Sequence, residues 1–299
     1  MRVLHLSDLH LPLDAPARPV WHGGWRCAMA QVEMRLLGRA AKFLDAHEVL
    51  ARILEDVERL GVDHVVLSGD LTTLALDEEF ATARRALNPL SGDPSRLTIV
   101  PGNHDRYTPG SFRERRFERH FADHLQSDLP EYQQAGGFFP LARLVGDRLA
   151  VVALDSSLVP VVPGLAYGRV GRRQLSLFRA MLADLRLRDR EVMVAVHHGP
   201  YDEKGLVECR SRGLWDAADL LSICREGGVG ALLHGHVHGR FYRLCTGSGV
   251  RIYGGGSSTQ QGREGYWLYQ LRSTGGLTAE EVDLSIEDAV PRLAATRVA

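Results

Sequence analysis

Five short runs of this sequence carry side chains that bind divalent ions: Asp8-Leu9-His10, Gly69-Asp70, Gly102-Asn103-His104-Asp105, His197-His198 and Gly235-His236-Val237-His238. The donors are carboxylates, imidazoles and one amide oxygen, with no thiolate, so manganese, iron and zinc all fit. Alternation along an extended backbone would put Asp8 with His10, and His236 with His238, on one side of the chain. The two carboxylate oxygens of Asp70 can bridge a pair of ions. Two ions about 3.5–4 Å apart clamp both the attacking and the leaving oxygen of an in-line phosphoryl displacement. Their four positive charges, less those neutralised by Asp8, Asp70 and a bridging hydroxide, leave about +1, which suits a singly charged phosphodiester. Water activated in this way supplies the nucleophile, so no serine, cysteine or threonine is needed in that role, and the sequence offers no nucleophile elbow.

A lone histidine at a strand end is usually a packed or surface residue; seven ligand-type residues that all fall at strand ends are not a chance pattern. Short apolar runs predict strands over 2–7, 62–68, 97–100, 149–154, 192–197, 230–234, 250–254 and 266–271. Each of the five runs follows one of these strands, where α/β sheets build their sites. Helical spacing over 47–60 puts Val49, Leu50, Ile53, Leu54, Val57 and Leu60 on one face, with Gly61 ending the helix, which makes a βαβ unit with extra chain inserted. Residues 172–187 and 214–226 predict two further helices that cover a sheet. The chain therefore reads as one α/β domain over 1–299 with two insertions, about 14–46 and 106–147, each leaving a candidate active-site loop and together expected to form a cap. The first carries Trp21 and Trp25, then Met29, Val32, Leu36, Leu37, Ala40, Phe43 and Leu44 at helical spacing; the second mixes Tyr107, Phe112, Phe117 and Phe121 with Arg113, Arg115, Arg116 and Arg119. The last fifteen or so residues show no clear pattern.

A formal net charge of −1 gives no global field for nucleic acid or an anionic membrane, which argues against a nuclease. Cys27, Cys209, Cys224 and Cys245 lie far apart without a C-x-x-C pair, so reduced thiols and a cytoplasmic location are expected. No apolar run approaches the ~18 residues of a membrane span.

The ordered set DLH, GD, GNHD, HH and GHVH resembles the calcineurin-like metallophosphoesterase superfamily over roughly residues 1–260. Its details are most similar to the bacterial group labelled cyclic-nucleotide phosphodiesterases. The resemblance implies a four-layer αββα sandwich of two mixed sheets flanked by helices. It also implies that Asp8, His10, Asp70 and His238 hold one ion, and that Asp70, Asn103, His197 and His236 hold the other. His197 rather than His198 is the ligand by the family's register. His104 would stand beside the leaving oxygen as proton donor, a role that suits an imidazole next to two cations. Asp105 either orients His104 or forms a turn.

Members that lost their ligands serve as scaffolds, but here every ligand position is filled. The protein-phosphatase branch carries Asp and Arg shortly after its GD motif, where this chain has Leu71, Thr72, Thr73 and Leu74. The expected activity is hydrolysis of a small phosphodiester such as a cyclic nucleotide. The alternative is a lipid-linked nucleotide sugar such as UDP-diacylglucosamine, because the 14–46 insertion resembles that of the enzymes acting on it and suits a peripheral contact with lipid or a membrane. Arg35, Arg39, Arg113, Arg115 and Arg116 are the candidates to hold a second phosphate.

Overall fold

The computed structural model describes residues 1–13, 40–159, 162, 164–207, 209–245, 247–272 and 276–284. The eight predicted strands all form: β1 (Arg2–Leu6), β2 (His64–Leu67), β3 (Leu97–Ile99), β5 (Leu149–Leu154), β6 (Glu191–Val196), β7 (Ala231–His234), β9 (Arg251–Gly255) and β10 (Gly265–Leu271). Three more join them: β4 (Leu141–Val145), β8 (Arg240–Leu244) and β11 (Leu277–Asp283). One sheet has the order β11-β10-β1-β2-β3 and the other β4-β5-β6-β7-β9-β8. Both are mixed, with β1, β2 and β3 parallel in the first and β5, β6, β7 and β9 parallel in the second.

Period-two alternation in the second sheet divides two cores. Val151, Ala153, Met193, Ala195, Ala231 and Leu233 face a core shared with the first sheet. Their neighbours Ala150, Val152, Val192, Val194, Val196 and Leu232 face the other way, onto helices that carry Leu175, Phe178, Leu220 and Cys224. Burial on both faces explains why these strands read as continuous apolar runs. The helices are α1 (Ala46–Arg59), α2 (Asp77–Ala86), the short α3 (Asn88–Ser91), α4 (Pro109–Arg113) and α5 (Arg116–Phe121), then α6 (Arg172–Leu182) and α7 (Ala217–Glu226). α1 buries Ala46, Val49, Leu50, Ile53, Leu54 and Val57 in the same core as the first sheet, close to the expected face. The two mixed sheets flanked by helices are the expected sandwich. Among the described residues no helix is long and apolar enough to cross a membrane.

The second insertion is built differently from the expectation. Phe117 and Phe121 are 1% and 0% exposed, in the main core beside Phe80 of α2, and β4 is a strand of the second sheet. These aromatics fill core rather than line a cap, because Arg116 and Arg119 fasten α5 to Ala75 and Asp77 and turn its apolar face inward. Of the first insertion, residues 14–39 lie outside the described residues, and with them Trp21, Trp25, Arg35 and Arg39. Its last turn, Ala40–Phe43, sets Phe43 edge-on against His10 at 5.0 Å.

If the second insertion belongs to the core, Phe117→Ala lowers unfolding free energy by about 3–5 kcal/mol, the range for a fully buried phenylalanine. Chemical denaturation measures this, and a loss near zero would return α5 to a peripheral role.

Candidate metal centre

β1, β2 and β3 run parallel, as do β6 and β7, so the loops after these five strands share one edge of the sandwich. Gly235 N donates to His197 O (3.0 Å), and Asp8 N to Gly69 O (3.0 Å), closing loops from the two sheets around one point. The side chains converge by a route other than the strand alternation anticipated for DLH and GHVH. Asp8, His10, Asp70, His236 and His238 all have positive φ, between 42° and 71°, and make up five of the seven non-glycine residues with that backbone among those described. Left-handed backbone of this kind costs about 1–3 kcal/mol per residue and persists only where the surroundings impose it. The glycines of the same loops permit the crowding. A Cβ on Gly69 would lie 2.6 Å from His197 Nδ1, one on Gly102 would overlap Asp70 Oδ1, and one on Gly235 would overlap Ser7 and Asp8.

Backbone carbonyls fix most of the rings. His10 Nδ1 lies 3.1 Å from Thr72 O and His197 Nδ1 lies 2.7 Å from Ser68 O. A carbonyl only accepts, so each Nδ1 carries a proton and each ring turns Nε2 inward, with a lone pair there whenever the ring is neutral. What those lone pairs meet is also acceptor. His10 Nε2 is 3.7 Å from Asp70 Oδ2 and 4.0 Å from Asp8 Oδ1; His197 Nε2 is 3.4 Å from Asp70 Oδ2 and 3.0 Å from Asn103 Oδ1. His238 Nε2 is 3.6 Å from Asp8 Oδ1, with Nδ1 3.2 Å from Gln260 Oε1. His236 Nδ1 is 2.9 Å from Asn103 Oδ1.

Asp8 Oδ2 accepts from Ser7 Oγ (2.6 Å) and His236 N (3.0 Å), yet its buried Oδ1 has no partner. Asp70 Oδ1 accepts from His104 N (2.8 Å), which leaves Oδ2 between His10 and His197. Asp8, His10 and His238, and likewise Asp8, Asp70 and His197, present donor atoms within 4.8 Å of one another. Acceptors facing acceptors in a buried site repel unless a positive charge lies between them. The charges show the same tension. Burial would lower His197, but Asp70 outweighs it and holds the ring up at about 9. Burial likewise would raise Asp70, and His197, His104 and His10 hold it well below its ordinary range. The residues present thus fit divalent ions.

His198 also brings a ring nitrogen within 4.8 Å of those of His197 and His236, but its Nδ1 lies 2.8 Å from Ser156 Oγ and its Nε2 3.1 Å from Ala166 O, so both nitrogens are engaged. His104 Nδ1 lies 2.8 Å from Thr73 O, and its ring stands edge-on to His10 at 4.9 Å and stacks on Tyr107 at 5.6 Å. Asp105 does not orient it. Its carboxylate accepts from the backbone N–H groups of Gly102, Leu71 and Thr72 and from Thr72 Oγ, which ties the GNHD loop to the GD loop. Burial and then Asp70 push Asp105 up to about 6. Three arginines expected to hold a phosphate are engaged in the fold: Arg113 with Pro109 O, Arg115 with Gly136 O and Arg116 with Glu114 and Ala75 O. Sequence reasoning missed Ser7, Gln260 and Tyr107. Ser7 and Tyr107 border the motifs, whereas nothing in the sequence singles out Gln260.

Residues 1–240 match the family described as calcineurin-like phosphoesterase. The chain belongs to that family. It is a metal-dependent phosphoesterase, a hydrolase of phosphoric esters. No curated protein matches it in sequence. Among solved structures it is similar to a dimetal phosphatase from Danio rerio, at 15% identity and TM-score 0.60 over 94% of this chain and 96% of that one. It is also similar to a purple acid phosphatase from seeds of yellow lupin (Lupinus luteus), at 13% identity and TM-score 0.61 over 94% of this chain. There the chain spans about half the length of its relative, 51%. GAP50, the anchor in the inner membrane complex of Plasmodium, is similar at 13% identity and TM-score 0.53 over 98% of this chain and 87% of that one. These structural likenesses speak for the fold.

The crowding at Gly102 makes a direct prediction. Gly102→Ala displaces the Asp70 carboxylate and lowers hydrolysis of an aryl phosphate ester about 10²-fold, the usual effect of misplacing a reacting group by about 1 Å. Gly92→Ala, where the nearest atom is 4.0 Å away, keeps full activity. Equal rates for the two variants would show that the loops are not as tightly closed as described.

Proposed function

We propose that this phosphoesterase hydrolyses phosphodiesters at a two-ion centre. In this reading Asp8, His10, His238 and Asp70 hold one ion, Asn103, His197, His236 and Asp70 hold the second, and His104 is the acid. The observation that carries the reading is Asp70 Oδ2 between His10 Nε2 and His197 Nε2, at 3.7 and 3.4 Å, beside the buried Asp8 Oδ1 that has no hydrogen-bond partner. Ions held there act as Lewis acids on the phosphoryl oxygens and make water nucleophilic near neutral pH. Only Asp8 and Asp70 in this donor set are anionic, which favours a singly charged ester over a more highly charged one.

The chain's own groups do the rest. Ser7 and the His236 N–H hold Asp8 Oδ2 and so free Oδ1 to coordinate. The carbonyls of Thr72 and Ser68 keep His10 and His197 in the tautomer that coordinates. Thr73 O takes the Nδ1–H of His104, so the proton for the leaving oxygen leaves from Nε2. His104 N donates to Asp70 Oδ1, which fixes the acid and the bridging carboxylate in one frame. Phe43 against His10 supports a role for the first insertion in walling the substrate.

Two outcomes check this. Chelation abolishes hydrolysis of bis(p-nitrophenyl) phosphate, and manganese restores it; full activity in excess chelator with no retained metal contradicts the reading. His104→Asn leaves metal content intact and slows hydrolysis by roughly 10²–10⁴, less for a nitrophenyl than for an alkyl leaving group. Equal slowing of both removes His104 from the role of acid.

A further inference from the structure

The loops after β5 and β6 are joined into one rim beside the metal centre. His198 Nε2 pairs with Ala166 O, and Ala166 N donates to Ser211 O (2.9 Å). Gly168 N donates to Gly213 O (3.1 Å), Trp215 N to Gly168 O (2.9 Å), and Gly168 and Leu214 form a parallel bridge. A Cβ on Gly168 would overlap the His198 ring, so the rim sits directly against that histidine. His198 in turn lies 4.9 Å from His197 and 4.5 Å from His236, ring to ring. The rim is therefore placed relative to the ion-binding side chains by a continuous set of contacts.

Two rim side chains have surface to spare. Trp215 stacks on buried Tyr167 at 4.2 Å and 16°, and its indole N–H donates to Arg210 O (2.8 Å), yet 52% of the residue is exposed. Stacking and hydrogen bond together fix the indole as a plate with an open side. Arg212 is exposed and pairs with no carboxylate among the described residues, although most arginines with a short contact here meet an acid or a carbonyl. It lies between Ser211 and Gly213, whose carbonyls accept from Ala166 N and Gly168 N, so it stands on the same rim as the Gly168 loop that packs against His198.

Building on the phosphodiesterase reading, we propose that Trp215 and Arg212 form the subsite that recognises a nucleoside carried on the phosphate. The base stacks on the indole, and the guanidinium takes a non-bridging phosphate oxygen. Aromatic plates hold bases of any sequence because every base has a π-face, and a guanidinium fork matches phosphate oxygens. The assignment also gives the rim the role that Arg113, Arg115 and Arg116 do not fill.

The test uses the manganese-loaded full chain and three esters with the same p-nitrophenol leaving group: thymidine 5′-(p-nitrophenyl phosphate), methyl p-nitrophenyl phosphate and dodecyl p-nitrophenyl phosphate. The wild type prefers the thymidine over the methyl ester in kcat/KM by about 10–100-fold, the scale of one base stacking on one aromatic ring. Trp215→Ala brings that ratio close to one, and Trp215→Phe restores most of it. Arg212→Ala raises KM more than it lowers kcat, and Arg212→Lys recovers part of the loss. A wild-type ratio near one, a ratio insensitive to Trp215→Ala, or a Trp215-dependent preference for the dodecyl ester overturns the proposal. A second readout needs no turnover. Adenosine monophosphate shifts the Trp215 indole N–H resonance of the metal-free protein, assigned by its loss in Trp215→Phe, and ribose 5-phosphate does not. If none of the three esters is cleaved, the phosphodiesterase reading fails, while this resonance still decides the subsite: no shift with adenosine monophosphate overturns it.

Discussion

Lone pairs pointed at lone pairs are the constraint from which the rest of this structure follows. Thr72 O and Ser68 O take the Nδ1 protons of His10 and His197, so both rings turn Nε2 toward Asp70, Asp8 and Asn103, which are acceptors. Bulk water scarcely reaches these atoms, because Asp8, Asp70 and His197 are almost wholly buried. Asp70 and, after it, Asp8 favour a proton on His197 against the effect of burial. Ions compete with that proton for the same lone pairs, which is how metal binding and ligand deprotonation are linked.

Holding such an arrangement requires a frame that does not relax. Two sheets supply it, since β1, β2 and β3 deliver three of the loops and β6 and β7 the other two, all from buried strands. The loops bend sharply: five ligand-type residues take left-handed backbone, and Gly69, Gly102 and Gly235 leave room for imidazole and carboxylate where a methyl group would collide. Asp105 contributes from beneath the centre, where it collects backbone N–H groups from the two central loops and locks them together. Strain at the centre is thus carried by hydrogen bonds and packing around it.

Much of this was legible in the sequence because the signals were local. β1, β2, β3, β6 and β7 are apolar runs ended by polar motifs, and α1 has an apolar face that its spacing reveals. The missed strands have physical reasons. β4 follows an arginine-rich stretch read as insertion, β8 begins two residues after His238, and β11 is a half-exposed edge whose Glu280 and Glu281 dilute its alternation. The residues that the five loops gather were legible for the same local reason, but their geometry was not. Alternation along a strand was a sound expectation for Asp8 and His10, and tertiary contacts replaced it with left-handed backbone. Whether Phe117 lines a cap or fills a core depends on partners such as Phe80 and Asp77, some forty residues away in sequence. Trp215 and Arg212 belong to no motif and gain meaning only from the bridge between Gly168 and Leu214.

The opposed acceptors make the central claim open to direct observation. Crystals grown with manganese and measured at its absorption edge should show two anomalous peaks. One is expected among Asp8, His10 and His238, the other among Asn103, His197 and His236, with Asp70 in contact with both. A single peak, or none with the imidazoles and carboxylates arranged as described, would contradict the account that this centre is built around two cations.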